Sequence, residues 1–215
     1  MKKIILSCFV ASVFVQMSMA NSHASHSHHM HNMASDTTIQ EVVDLMHAPM
    51  MNTQFIESGN PNIDFLKNMI PHHEGAILSS KKLIQNKALD PKLKKIAEGI
   101  ILEQEKEIKH FKELLRNAKQ FDQTITKEQY QQFVLQEKQD MDLMMQKMSE
   151  LGRNETLETA YMKSMIAHHN GAINAARQIL SITNNPTITK IANQIIAAQE
   201  TEVKQFEEML LHASH

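Results

Sequence analysis

The sequence predicts an all-α protein: an antiparallel four-helix bundle made from two duplicated helical hairpins, with two shorter helices flanking it. Three observations point there. Apolar residues recur at helical spacing along most of the chain, as in Leu93, Ile96, Ile100, Ile101, Ile108, Phe111 and Leu115. Two long segments repeat each other. No stretch alternates with period two between hairpin turn residues, so no sheet is expected.

The chain opens with Met1, Lys2 and Lys3, then an apolar run from Ile4 to Val15 and the small-residue site Ser18-Met19-Ala20. That order of charge, short apolar stretch and small residues reads as a secretory signal peptide over 1–20, cut after Ala20. The run is shorter than the ~20 residues of a membrane-spanning helix, and no second apolar span follows, so no membrane span is expected after cleavage. The expected compartment is the periplasm or another exported location. Cys8, the only cysteine, falls in the segment to be removed, which leaves no thiol for a disulfide, a cysteine zinc site or redox chemistry. Loss of Lys2 and Lys3 also takes the formal charge from −2 to −4, with no basic stripe, so nucleic acid is not an expected partner. Residues 21–36, rich in His, Ser and Ala, read as a disordered tail.

Two repeats then follow, over 37–120 and 121–215, read as packing into one domain. Phe65-Leu-Lys-Asn-Met69-Ile-Pro-His72-His73-Glu-Gly75-Ala76-Ile77 matches Tyr161-Met-Lys-Ser-Met165-Ile-Ala-His168-His169-Asn-Gly171-Ala172-Ile173 at an offset of 96. Downstream, Pro91, Ile96, Ala97, Ile100, Gln104, Glu107, Ile108 and Phe111 match Pro186, Ile191, Ala192, Ile195, Gln199, Glu202, Val203 and Phe206 at an offset of 95. The residue lost between them falls in a turn, where a length change costs least. Upstream, Met46 and Met50 align with Met141 and Met145.

The spacing predicts helices at 38–57, 62–87, 91–119, 126–151, 155–183 and 186–213. Asn60-Pro61, Asp90-Pro91 and Asn185-Pro186 each put a capping side chain before a proline suited to the first helical position. Pro71, inside the second helix, removes a backbone hydrogen bond and predicts a kink; its counterpart is Ala167.

Composition supplies the chemical lead. Aromatic residues are 5% of the chain with no Trp, whereas Met numbers 16 and His 13. Met69, His72 and His73 stand at i, i+3 and i+4 and share one broad helical face; Met165, His168 and His169 repeat the arrangement. Thioether sulfur selects soft Cu(I) or Ag(I), and imidazole accepts copper in either oxidation state or zinc. The bland alternative is that histidine hydrogen-bonds inside the bundle while methionine packs. A second set is Met46, His47, Met50 and Met51. A third, Met141, Met144, Met145 and Met148, makes one stripe on a helix otherwise polar, either a core face or exposed thioethers. The tail holds His23, His26, His28, His29, Met30, His31 and Met33, able to bind metal without a preformed cage. His212 and His215 are expected to face solvent.

A carboxylate-bridged di-iron centre would need Glu-x-x-His on two helices. Glu107 and His110 supply one; the matched Glu202 and Gln205 do not supply the other. Glu107 and Glu202 are instead read as ion pairs in the bundle or as groups that orient a histidine. No Ser-His-Asp order, phosphate loop, dinucleotide glycine pattern or His-Glu-x-x-His is present.

Met-x-x-His-His-x-Gly-Ala-Ile followed by Ile-x-x-x-Gln-x-x-Glu-Ile, carried by Met69 to Ile77 with Gln104, Glu107 and Ile108 and again by Met165 to Ile173 with Gln199, Glu202 and Val203, resembles a bacterial domain-of-unknown-function family. Its members are exported, ferritin-like helical proteins, a periplasmic copper-binding protein among them. The resemblance runs from about Glu41 onward and excludes the His-rich tail. It implies a ferritin-like bundle and copper handling through Met and His. The expected function is a non-enzymatic binder of copper ions, silver possible, in sequestration, trafficking or resistance, with a copper efflux or envelope protein as a possible partner. The alternatives are a ferritin-like metalloenzyme oxidising Cu(I) or Fe(II), and an envelope adaptor whose histidines are incidental.

Overall fold

Each helix start obeys the capping chemistry written at it. The computed structural model describes residues 37–152 and 154–213. In it Asn60 Oδ1 accepts from the backbone N–H of Asn62 and Ile63, Asp90 Oδ1 from Lys92 and Leu93, and Asn185 Oδ1 from Thr187 and Ile188. Helix α2 (Pro61–Leu83), α3 (Pro91–Leu115) and α6 (Pro186–Ala213) therefore begin at their prolines. Thr38 and Thr126 open α1 (Ile39–Asn52) and α4 (Lys127–Met148) with capping boxes closed by Glu41 and Gln129. Thr156 caps α5 (Leu157–Ile182). The described residues form six α-helices and a short 3₁₀ turn, Ala118–Phe121, with no strand among them.

The first four helices end short of the expected residues, whereas the last ends at Ala213 as expected. The first helix was expected to reach residue 57 but ends at Asn52, because Asn68 captures the following strand-like segment. Its amide accepts from Ile56 N–H at 2.8 Å and donates to Ile56 C=O at 3.1 Å, taking both backbone groups out of any helical ladder. The third ends at Leu115 instead of 119, and the chain tightens into the 3₁₀ turn that buries Phe121. Helix α2 runs unbroken through Pro71.

Helices α2 and α5 lie antiparallel at the centre. Thr183 Oγ1 donates to Asn62 Oδ1 at one end, and Ser80 Oγ pairs with Tyr161 OH at 2.7 Å at the other. Helices α1 and α3 pack on α2, while α4 and α6 pack on α5. The four long helices α2, α3, α5 and α6 are the expected bundle, and α1 and α4 cover its two central members. One apolar cluster joins Val42, Met46, Leu93, Ile100, Met148, Tyr161, Met165 and Phe206; a second joins Phe65, Leu66, Phe111, Phe121, Ile179, Ile188 and Ile195. The described residues, from Thr37 on, fall in one compact unit. The expected signal peptide and the His-rich segment 21–36 lie outside the described residues. No helix among the described residues is long and apolar enough to cross a membrane.

Candidate metal centre

The antiparallel crossing of α2 and α5 brings the two His-His pairs face to face. The His72 and His168 rings lie 3.7 Å apart between centroids, and His73 and His169 flank them at 6.0 Å each, so the four imidazoles form a continuous row. The pairing is reciprocal. His72 Nε2 donates to the His168 carbonyl at 3.1 Å, and His168 Nε2 donates to the His72 carbonyl at 3.1 Å. A carbonyl only accepts, so in both rings Nε2 carries the proton and Nδ1 carries the lone pair.

The outer histidines meet carboxylates. His73 Nε2 is 2.8 Å from Glu107 Oε2, and His169 Nε2 is 2.7 Å from Glu202 Oε2. The distance is that of an ion pair, but the ring N–H is too far off line for a well-aligned hydrogen bond. Carboxylates placed this way fix the orientation of an imidazole. Of the two roles open to Glu107 and Glu202, the structure makes them histidine partners. His110 points away into solvent, which leaves Glu107 without the second ligand of a di-iron motif.

All four Nδ1 atoms are buried and lack a hydrogen-bond partner. Burial holds His72 and His168 well below the usual imidazole pKa, and neighbouring imidazoles add to that depression, so both are neutral at physiological pH. Neutral imidazole with a free lone pair is the ligand form of histidine. Gln104 and Gln199, at matched positions, are also buried with neither amide atom partnered. Orphaned buried polar atoms of this kind mark water, an ion or a functional site. Among the described residues no three or more His, Cys, Asp or Glu form a ready-made cation cage.

The thioethers gather on one side of the row. A cleft of about 230 Å³ is lined by Met50, Met51, Met69, Met141, Met144 and His72, with Pro71, Glu137 and Asp140 also on its wall. Its methionines come from all three sets singled out within the helical part of the sequence. Glycine makes room for them: a Cβ at Gly171 would collide with the Met144 sulfur, so Met144 lies where it does because residue 171 has no side chain. Glu137 was not legible as a site residue, since it sits in the polar run Gln136–Asp140. Only tertiary packing buries it to 8% exposure, with Oε1 unpartnered.

A family model described as "Domain of unknown function (DUF305)" matches residues 62–210. The chain belongs to the DUF305 family. Among solved structures, CopM in the Cu(I)-bound form is 26% identical, with 72% of this chain and 98% of that chain covered and a TM-score of 0.53. CopM in the Ag-bound form, obtained by soaking, is 27% identical over 70% and 95% of the two chains, with a TM-score of 0.51. A DUF305 fragment from Deinococcus radiodurans, 21% identical over 71% and 96% with a TM-score of 0.51, shares the fold. One stretch of 55 residues is 40% identical to uncharacterized protein L153 of Acanthamoeba polyphaga mimivirus. It covers 26% of this chain and 36% of that protein.

The remaining methionines and histidines of this DUF305 chain are placed less uniformly. Met46, Met148 and Met165 are buried core residues, and Met145 is partly buried against the same cluster. The stripe Met141, Met144, Met145 and Met148 therefore faces inward, with Met141 and Met144 reaching the cleft. His47 is half-buried with Nε2 unpartnered, and burial lowers its pKa against the opposing pull of Asp44. Met51 stands 71% exposed at the cleft. His212 faces solvent. His23, His26, His28, His29, Met30 and His31 lie outside the described residues.

Proposed function

We propose that this DUF305 protein is a non-enzymatic binder of copper, taken as Cu(I) with Ag(I) as a surrogate, that sequesters the ion or passes it on in the cell envelope after export. The observation that carries the reading is the convergence of five methionines and one neutral, lone-pair-bearing imidazole on a single cleft. Thioethers are poor ligands for hard ions and good ones for Cu(I) and Ag(I), so this donor set has a narrow range of suitable cargo. The likeness to CopM in Cu(I)-bound and Ag-bound forms supports the same choice of ion. His73 and His169, oriented by Glu107 and Glu202, extend the donor set inward along the imidazole row.

The test is competition for Cu(I) against a chromophoric chelator under anaerobic conditions. The protein is expected to withdraw micromolar Cu(I) from the chelator. A variant with Met69, Met141 and Met144 all changed to Leu keeps volume and apolarity and so should remain folded. It is expected to lose that competition. Equal competition by wild type and variant would reject the cleft as the binding site.

A further inference from the structure

The duplicated sequence does not produce two equal clefts. The 95-residue offset that aligns Met141 with Met46 becomes 96 in the following helices, where Gly171 on α5 aligns with Gly75 on α2. A Cβ at Gly75 would strike the backbone carbonyl of Met46, so on that side α1 lies with its main chain directly on α2. A Cβ at Gly171 would first meet the Met144 side chain, and there the cleft lies between the helices.

The 95-residue offset between α1 and α4 places Glu137 at the position of Val42 and Asp140 at that of Leu45. Carboxylates therefore stand on the open side and apolar residues on the closed side, where Val42 is fully buried in the core. The two carboxylates also differ from each other. Asp140 is partly exposed and accepts from Gln136 Nε2 at 3.0 Å. Glu137 is buried, lines the cleft and has Oε1 without a partner. None of the ion pairs among the described residues involves it. A buried carboxylate left in this state is costly, and a partner of opposite charge relieves the cost.

We infer that Glu137 is a further binding residue of the cleft: as the carboxylate, its proton given up to solvent, it supplies the buried negative charge that balances a soft monovalent cation held by the thioethers and His72. This rests on the copper reading above and adds the charge rule to it. Methionine and neutral imidazole bring no charge, so a Cu(I) or Ag(I) ion bound by them alone would be an unpaired cation in an apolar cleft. The thioethers select softness, and Glu137 selects charge. Because its counterpart is Val42, the pairing exists once per chain.

The experiment is Ag(I) affinity by chelator competition for the wild type, Glu137→Gln and the triple Met-to-Leu variant, with silver X-ray absorption on each loaded protein. Glu137→Gln keeps shape and removes charge. It is expected to weaken Ag(I) binding about tenfold or more, with the sulfur coordination unchanged. Unaltered affinity in Glu137→Gln, with binding lost in the triple variant, would overturn the role of Glu137 and leave the copper reading intact. Unaltered affinity in the triple variant would remove the cleft itself. Weaker binding with altered sulfur coordination would make Glu137 a support for α4 and would also overturn the inference.

Discussion

Gly75 and Gly171 occupy the same place in the repeated motif, yet a methyl group at each has a different consequence. At Gly75 it meets the Met46 carbonyl, a backbone atom that moves only if α1 moves. At Gly171 it meets the end of a methionine, which has three rotatable bonds. In an unhindered helix, Gly→Ala gains about 1 kcal/mol. Gly75→Ala should instead destabilise the protein by about 1–3 kcal/mol through overpacking. Gly171→Ala should be close to neutral in urea unfolding, because the helical gain offsets the displacement of Met144. Equal losses at both positions would mean that α4 is held as rigidly as α1. The sequence placed both glycines in one motif but could not separate them, because the difference lies in which atom of the neighbouring helix arrives there.

Helix starts were legible to within a residue or two, and the ends of the first four helices were not. A start is announced locally, by a capping side chain and a proline one residue on. The end of α1 is decided by Asn68, twelve residues beyond Ile56 and on another helix. No local pattern could report that. Asn68→Ala should leave the N–H and C=O of Ile56 without their partner and cost about 1–3 kcal/mol. It should also speed amide exchange at Ile56 well beyond that at Met46, which lies in the middle of α1. Asn68 lies on the cleft wall, so the same change should loosen the segment carrying Met51. Unchanged exchange at Ile56 would show that another group holds the loop.

At the scale of the molecule, periodicity identified which face of each helix is apolar but not which helices meet. That His72 would bond the His168 backbone follows only from the antiparallel crossing of α2 and α5. This crossing creates a pH dependence in the metal-free protein that no single helix contains. His72 and His168 are neutral in the folded state and protonate on unfolding below about pH 6.5, their ordinary value. Their contribution to stability is fully present above that pH and is lost as the pH falls. His47, half-buried, adds weakly in the same direction. Glu137 acts oppositely. Burial, with Asp140 and Asp64 nearby, pushes its pKa up to about 7. It therefore keeps a proton when folded and releases it on unfolding above about pH 4.5. Its contribution is present at acid pH and lost as the pH rises through 7. Between about pH 5 and 6.5, unfolding takes up two protons at the histidines and releases one at Glu137. Each net proton is worth about 1.4 kcal/mol per pH unit. Stability of the wild type should thus rise with pH by up to about 1.4 kcal/mol per unit in that window. Glu137→Gln removes the opposing proton, so its slope should approach about twice that value. The variant should also exceed the wild type in stability at pH 8, where the buried charge is gone. Urea denaturation of both proteins at half-unit steps from pH 5 to 8 measures all of this. Parallel curves would show that Glu137 is already ionised in the folded protein, with a cation or a water held against it.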